Sequence, residues 1–96
     1  MRPSLLLESH RSELREIALR HRVRNIRVFG SVVQGEDIEG SDLDVLVDPT
    51  GEPSLMDIAA IQVELERLLG INVDVLPPNA LPDKFRGQVL REALPV

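Results

Sequence analysis

The chain has 96 residues, of which 43% are hydrophobic and 28% charged, a composition typical of a globular protein with room for one compact domain. It contains no cysteine, which excludes disulfides and thiolate metal sites, and its first apolar cluster, Leu5 to Leu7, is too short for a signal peptide or a membrane span. We therefore expect a cytoplasmic protein without membrane contact.

The net charge of −5 is unevenly distributed, because residues 1–30 carry seven Arg and three Glu while the remainder is strongly acidic. A solvated helix face explains these arginines most simply, and a contact surface for an acidic partner or RNA is the alternative. With no Trp, no Tyr and two Phe, the chain lacks an aromatic platform for single-stranded bases, so direct nucleic-acid binding is not expected.

The first half of the chain predicts a helix, a strand, a helical turn and a second strand. Apolar residues recur near helical spacing over residues 4–22, with Ser4 as the N-terminal cap. Asn25 to Phe29 is a β-branched-rich strand, and Ser31 to Gly35 is predicted to form one helical turn. After a polar loop, Asp44 to Val47 forms a strand that Pro49 and Gly51 stop.

The second half predicts a long helix, a third strand and a short final helix. Ser54 is a candidate cap with Asp57 as its capping-box partner, and Gly70 ends the helix. Its predicted core stripe comprises Leu55, Ile58, Ile61, Leu65 and Leu68 or Leu69. Val73 to Leu76 is the third strand, Pro77-Pro78 breaks the chain, and Asp83 to Ala93 forms the last helix. We expect an α/β (α+β) fold, a single domain over residues 1–96 in which helices pack on a small mixed sheet of about three or more strands.

Gly30 and Ser31 follow the first strand as a small-residue turn. Gly30 lets the backbone approach a ligand without a Cβ in the way, and a helix beginning at Ser31 would aim its free N–H groups at an anion. On its own, a Gly-Ser pair after a strand is more often an ordinary turn.

Three carboxylates are candidates for metal binding and catalysis. Asp42 and Asp44 project to the same side of an extended segment, where only a cation would relieve their repulsion. Oxygen ligands without Cys or His nearby suit Mg²⁺ or Mn²⁺. Asp74 lies between two valines and converges on the same site if its strand pairs beside the second strand. The alternatives are a turn-forming role for Asp42 and a solvent-facing edge position for Asp74.

Gly30-Ser31, ten residues, then Asp42-x-Asp44 resembles the signature of the DNA polymerase β-type nucleotidyltransferases. Over almost its whole length the chain is similar to the minimal nucleotidyltransferase (MNT) proteins, which are partners of HEPN toxins. The resemblance implies a polymerase β-like core, with Asp42, Asp44 and Asp74 as catalytic residues and ligands of two metal ions. It also implies that Gly30 and Ser31 bind the nucleoside triphosphate.

The resemblance further implies an antitoxin enzyme that transfers AMP from ATP to a hydroxyl, expected to be a tyrosine, of a cognate HEPN ribonuclease and so neutralises it. The short chain favours a protein acceptor, since a small-molecule enzyme needs more chain for an acceptor pocket. One alternative is an antitoxin that masks its partner sterically without catalysis. A weaker alternative is modification of a small molecule.

The remaining polar and apolar features are expected to be structural. His21 is predicted to end the first helix, Asp48 to start a turn, and Lys84 and Arg86 to lie on a solvated face. An apolar stripe near the end is interpreted as core, with partner docking as the alternative; it comprises Leu81, Phe85, Val89, Leu90 and Leu94.

Overall fold

The computed structural model describes residues 1–21, 23–49 and 55–96 of the chain. In these ranges the helices are α1 (Pro3–Ser9), α2 (Arg11–Arg20), α3 (Ser31–Gln34), α4 (Leu55–Leu69) and α5 (Asp83–Glu92), with a 3-10 helix at Pro78–Ala80. The strands are β1 (Val23–Phe29), β2 (Leu43–Pro49), β3 (Val73–Leu76) and β4 (Leu94–Pro95). No helix in the described ranges is long and apolar enough to cross a membrane.

The strands form one mixed sheet in the order β3-β2-β1-β4. Strand β2 pairs antiparallel with β1 and parallel with β3, and β4 adds a short antiparallel edge beside β1. The predicted mixed sheet packed with helices is therefore confirmed. The two-residue strand β4 was not predicted, because alternation cannot be recognised over so few residues.

One face of the sheet carries the main core. Alternate residues of β2 and β3, such as Val45, Val47 and Val75, point to this face and pack under α2 and α4. The predicted stripe of α4 is confirmed for Ile58, Ile61, Leu65, Leu68 and Leu69, which are buried or packed against the core. Ser54 and the side chain of Leu55 lie outside the described residues.

The opposite face of the sheet holds the acidic residues of β2 and β3. Leu46 also points to this face and is fully buried, and Leu81, which follows the 3-10 helix, is 4% exposed. The 3-10 helix contacts β2 there. This second, smaller layer leaves Asp44 and Asp74 on a face that is only partly covered.

The predicted single helix over residues 4–22 is wrong, because the chain bends at His10 and forms α1 and α2. Ser4 does not cap the helix; Arg2 occupies the N-cap position, and Pro3 begins the first turn. The Ser4 N–H instead donates to Asp37 Oδ2 at 2.9 Å. A residue of a distant loop therefore accepts a free backbone N–H at the start of α1. The spacing of apolar residues along the chain does not reveal such a contact.

Two charged residues were interpreted wrongly from the sequence. Asp48 does not follow the second strand but lies in β2, where it accepts hydrogen bonds from Asn25 at 3.0 Å and Arg27 at 3.1 Å. The turn that it was predicted to start extends into residues 50–54, which lie outside the described residues. Arg86 is not simply solvated, because its guanidinium donates to the backbone carbonyls of Pro78, Asn79 and Leu81. It therefore ties α5 to the segment that precedes it.

Two further predictions had mixed outcomes. His21 does end α2, where its ring lies 2.8 Å from a carboxylate oxygen of Glu64. The C-terminal stripe is only partly core. Leu81 is buried and Val89 half-buried, whereas Phe85, Leu90 and Leu94 are exposed. Phe85 and Leu90 belong to α5, and Leu94 belongs to the short edge strand β4.

Candidate active site

The sheet brings the predicted acidic residues to one end of its open face. Across the three strands, Phe29 of β1 pairs with Asp44 of β2, and Asp44 pairs with Asp74 of β3. Neighbouring strands lie about 4.8 Å apart, so side chains in register on the same face are in direct reach of one another. Asp42 precedes β2 by one residue and is exposed. The three predicted carboxylates are thus neighbours.

Gly30 touches this group from the end of β1. Its φ of +74° is a conformation that residues with a Cβ rarely adopt, and a Cβ placed there would lie 2.5 Å from Asp44 Oδ2. Gly30 is also the N-cap of α3. The backbone therefore enters α3 directly against the carboxylate, and only glycine allows this approach.

The helix α3 begins at Ser31, as predicted, and ends at Gly35. The N–H groups of Val33 and Gln34 both turn back to the carbonyl of Gly30. The N–H groups at the very start of a helix have no partner within it and are available to an anion. Ser31 and the carboxylates therefore flank the same position from two sides.

Asp44 is the partly buried acid of this group. Burial, and then the charges of Asp74 and Asp42, raise the pKa of the Asp44 carboxyl above its usual value. Each cause penalises the ionised form, so a cation between these carboxylates would relieve the repulsion. All the donors are carboxylate oxygens, which suits Mg²⁺ and Mn²⁺.

No three acidic or histidine side chains in the described ranges lie close enough together to enclose one ion. Mg²⁺ in phosphoryl-transfer sites commonly takes one or two carboxylates and completes its shell with phosphate oxygens and water. The adjacent carboxylates of this site fit such a partial set of ligands.

Comparison with known proteins identifies the family. The sequence model described as "nucleotidyltransferase domain" matches residues 7–96. The chain belongs to this nucleotidyltransferase family.

Relatives and solved structures extend this similarity over nearly the whole nucleotidyltransferase chain. The protein adenylyltransferase MntA of Thermococcus cleftensis is 44% identical over 89 residues, which cover 93% of this chain and 87% of MntA. A solved minimal nucleotidyltransferase superposes with a TM-score of 0.85 at 41% identity, covering 97% of this chain and 95% of that one. The minimal nucleotidyltransferase resemblance seen in the sequence is thereby confirmed.

A toxin–antitoxin complex shares the fold at lower identity. One chain of the complex between a tri-AMPylated HEPN toxin of Shewanella oneidensis and its MNT antitoxin has a TM-score of 0.65 at 18% identity. The similarity covers 96% of this nucleotidyltransferase and 70% of that chain. At this identity the comparison establishes the fold.

Asp37 is a residue of the nucleotidyltransferase site region that sequence reasoning missed. It lies in the connection between α3 and β2 and is 5% exposed. The hydrogen bond that Asp37 accepts from the Ser4 N–H holds the pKa of the Asp37 carboxyl below its usual value. Asp37 therefore anchors the segment that carries Asp42 to the start of α1. Its position between Glu36 and Ile38 in a loop gave no sequence signal of this role.

Proposed function

We propose that this nucleotidyltransferase transfers AMP from ATP to a protein hydroxyl and acts as the antitoxin of a HEPN ribonuclease. The observation that carries the proposal is the packing of Gly30 against Asp44, with Asp74 in register beside it. This arrangement sets the Gly30-Ser31 turn next to a group of acids. Nucleoside triphosphate complexed with Mg²⁺ carries negative charge that suits the turn and positive charge that suits the acids.

We assign phosphate binding to the Gly30-Ser31 turn and metal binding to the aspartates. Ser31 and the first N–H groups of α3 would bind the β- and γ-phosphates, since they are the free donors beside Gly30. Asp42, Asp44 and Asp74 would hold the metal ions. The reaction therefore takes place between α3 and the open face of β2.

In the proposed reaction the acceptor hydroxyl oxygen forms a bond to the α-phosphorus, and the bond between the α-phosphorus and the bridging oxygen breaks. Pyrophosphate leaves with that oxygen and its electron pair, held by the Gly30-Ser31 turn. Asp74, exposed at the sheet edge, would accept the hydroxyl proton. The products are the AMP-modified acceptor and pyrophosphate.

Two Mg²⁺ ions, or Mn²⁺, held by these aspartates would supply the electrostatic stabilisation that phosphoryl transfer requires. The raised pKa of Asp44 supports this assignment, because the repulsion among the acids is unfavourable until a cation is present.

The acceptor is proposed to be a tyrosine hydroxyl of the HEPN partner. Two similarities support this proposal. One is the relative named as a protein adenylyltransferase, and the other is the solved complex whose HEPN toxin is AMPylated. The chain contains no tyrosine of its own, so it is not the acceptor of such a modification. Modification of the partner would neutralise it and would give the enzyme its antitoxin role.

The proposal is tested with the purified chain, its genomic neighbour, Mg²⁺ and α-labelled ATP. Label should appear on the neighbour's tyrosine, and the double variant Asp42→Asn plus Asp44→Asn should transfer none. Glu13→Gln plus Glu16→Gln, which removes two exposed acids of α2, is the charge-matched control and should transfer normally.

Protection of cells from the toxin separates catalysis from steric masking. If the double aspartate variant protects as fully as the unmodified chain, catalysis is not the main mechanism of neutralisation. If no label reaches any partner with intact carboxylates, the transfer reaction itself is refuted.

A further inference from the structure

A groove lies beside the proposed active site, between α5 and the open face of the sheet. It has a volume of about 470 Å³ and runs from Gly30 along Phe29 to Leu76, with α5 as its other wall. Phe29 and Leu76 alternate with the core residues Val28 and Val75, so they point to the same face as Asp44 and Asp74. The groove is thus continuous with the residues proposed to bind phosphate and metal.

The aromatic content of the groove is unusual for this chain. The sequence contains two phenylalanines and no other aromatic residue except histidine, and both Phe29 and Phe85 line this groove. Phe85 keeps 51% of its surface exposed, although a ring of this size usually contributes to a core. An exposed ring beside a ligand site offers a flat apolar surface for stacking.

The polar groups of the groove suit a neutral, planar ligand. Gln34 at the end of α3 and Gln88 of α5 place two primary amides on its lining. Gln88 donates to Glu92 at the long distance of 3.4 Å, and among the described residues its amide has no other partner, so it is available for a better one. Glu92 is the one charged residue among the lining residues described, and it is acidic, which disfavours phosphate in the groove.

We infer that this groove binds the nucleobase of the donor nucleotide. The base would lie against Phe85, and the Gln88 amide would pair with its edge by one donor and one acceptor, as glutamine pairs with adenine. The inference rests on the proposed function, because it assumes that the triphosphate lies at Gly30 and Ser31. It adds the part of the chain that recognises the nucleoside.

The acceptor side chain is the competing occupant, since a tyrosyl ring is also flat and apolar. The acceptor has another approach, however. A depression of about 560 Å³, lined by Ser41, Asp42 and Asn72, adjoins the carboxylate group at Asp42. A tyrosine in the groove would use its hydroxyl at the α-phosphate and leave the Gln88 amide unpaired, whereas a base pairs with it.

The test compares the binding of Mg·ATP and of magnesium tripolyphosphate to the whole chain by calorimetry. Phe85→Ala should weaken ATP binding roughly 5- to 150-fold, the range for loss of one aromatic stacking partner. It should leave tripolyphosphate binding unchanged. Gln88→Leu should lower ATP affinity and flatten the preference among the four nucleoside triphosphates.

Two controls keep the result interpretable. Leu90→Ala removes an apolar side chain from the same helix outside the groove and should bind ATP normally, and Phe85→Trp should retain affinity. Circular dichroism of each variant verifies that α5 is folded.

The inference is overturned if Phe85→Ala and Gln88→Leu bind ATP as tightly as the unmodified chain does. If Phe85→Ala also slows transfer to the partner while ATP binding is unchanged, the groove binds the acceptor and not the nucleobase. If the unmodified chain binds neither ATP nor tripolyphosphate, the proposed function fails, and the assignment of the groove fails with it.

Discussion

Replacing Asp44 by asparagine should stabilise the metal-free protein while it abolishes nucleotidyl transfer. Burial and the neighbouring charges of Asp74 and Asp42 raise the pKa of Asp44, so its ionised form is unfavourable in the folded chain. Asparagine keeps the size of the side chain and removes the charge. The substitution therefore separates the effect of the Asp44 charge on folding stability from its effect on nucleotidyl transfer.

The size of the gain follows from the geometry of β2 and β3. Carboxylates on adjacent strands about 5 Å apart repel by about 1 kcal/mol when the dielectric constant is close to that of water. The solvent-like value applies because Asp42 and Asp74 are exposed. For a chain of this length, a gain of about 1 kcal/mol in the free energy of unfolding raises Tm by roughly 4–8 °C.

Thermal unfolding followed by circular dichroism, in EDTA and in Mg²⁺, measures this effect. Glu16→Gln, which removes one exposed charge from α2, should change Tm little. Mg²⁺ should stabilise the unmodified chain and should stabilise Asp44→Asn less. The reasoning is refuted if Asp44→Asn in EDTA is no more stable than the unmodified chain, or gains no more than Glu16→Gln.

The same experiment has a defined dependence on pH. Because the folded pKa of Asp44 lies above its unfolded value, the stability of the unmodified chain falls as pH rises from the unfolded pKa to the folded pKa. Above that range the penalty is constant. The advantage of Asp44→Asn should therefore be present at neutral pH and disappear below the ordinary pKa of aspartate.

Three further substitutions test other parts of the structure. Gly30→Ala places a Cβ 2.5 Å from Asp44 Oδ2, so transfer should fall by about 100-fold or more. Asp37→Ala leaves the Ser4 N–H without its acceptor and should cost roughly 1–3 kcal/mol of unfolding free energy at neutral pH. Because the folded pKa of Asp37 is lowered, this difference should vanish as pH falls through that pKa. Leu65→Ala, at a fully buried site, should cost roughly 2–5 kcal/mol in denaturant unfolding.

Matched variants show whether these losses have the stated causes. Gly35→Ala shares the positive φ of Gly30 but meets no atom within 4 Å, so comparable loss of transfer would contradict the clash with Asp44. Leu19→Ala, at a side chain that is 79% exposed, should change stability by less than about 0.5 kcal/mol. If added salt restored the free energy of unfolding of Asp37→Ala, the loss would come from long-range charge effects and not from the missing hydrogen bond to Ser4 N–H.

Elements defined by local patterns were predicted well from the sequence. Strand β3 has the predicted bounds, and α4 ends before Gly70 as expected, because β-branched alternation and a glycine stop are local signals. The spacing from Gly30 to Asp44 also predicted two groups that meet. The structure places them in contact, and their catalytic roles remain predictions that the variants above test.

Features that depend on long-range contacts could not be predicted in this way. Asp37 meets Ser4 across 33 residues, and neither residue is unusual in its own segment. Arg86 resembles a solvated helix residue until the 3-10 helix and the residue Leu81 after it place three carbonyls around its guanidinium. The groove beside Gly30 depends on how α5 rests on the sheet, which no periodicity records.

The alternation along β2 links catalysis to correct folding. Val45 points into the core and Asp44 points to the open face, and a one-residue shift of register would exchange the two. Such a chain would bury a carboxylate and expose a valine, so it would lose stability. If Asp44 has the proposed catalytic role, the same shift would remove activity, and specific activity would then report the fraction of molecules in which β2 has paired correctly.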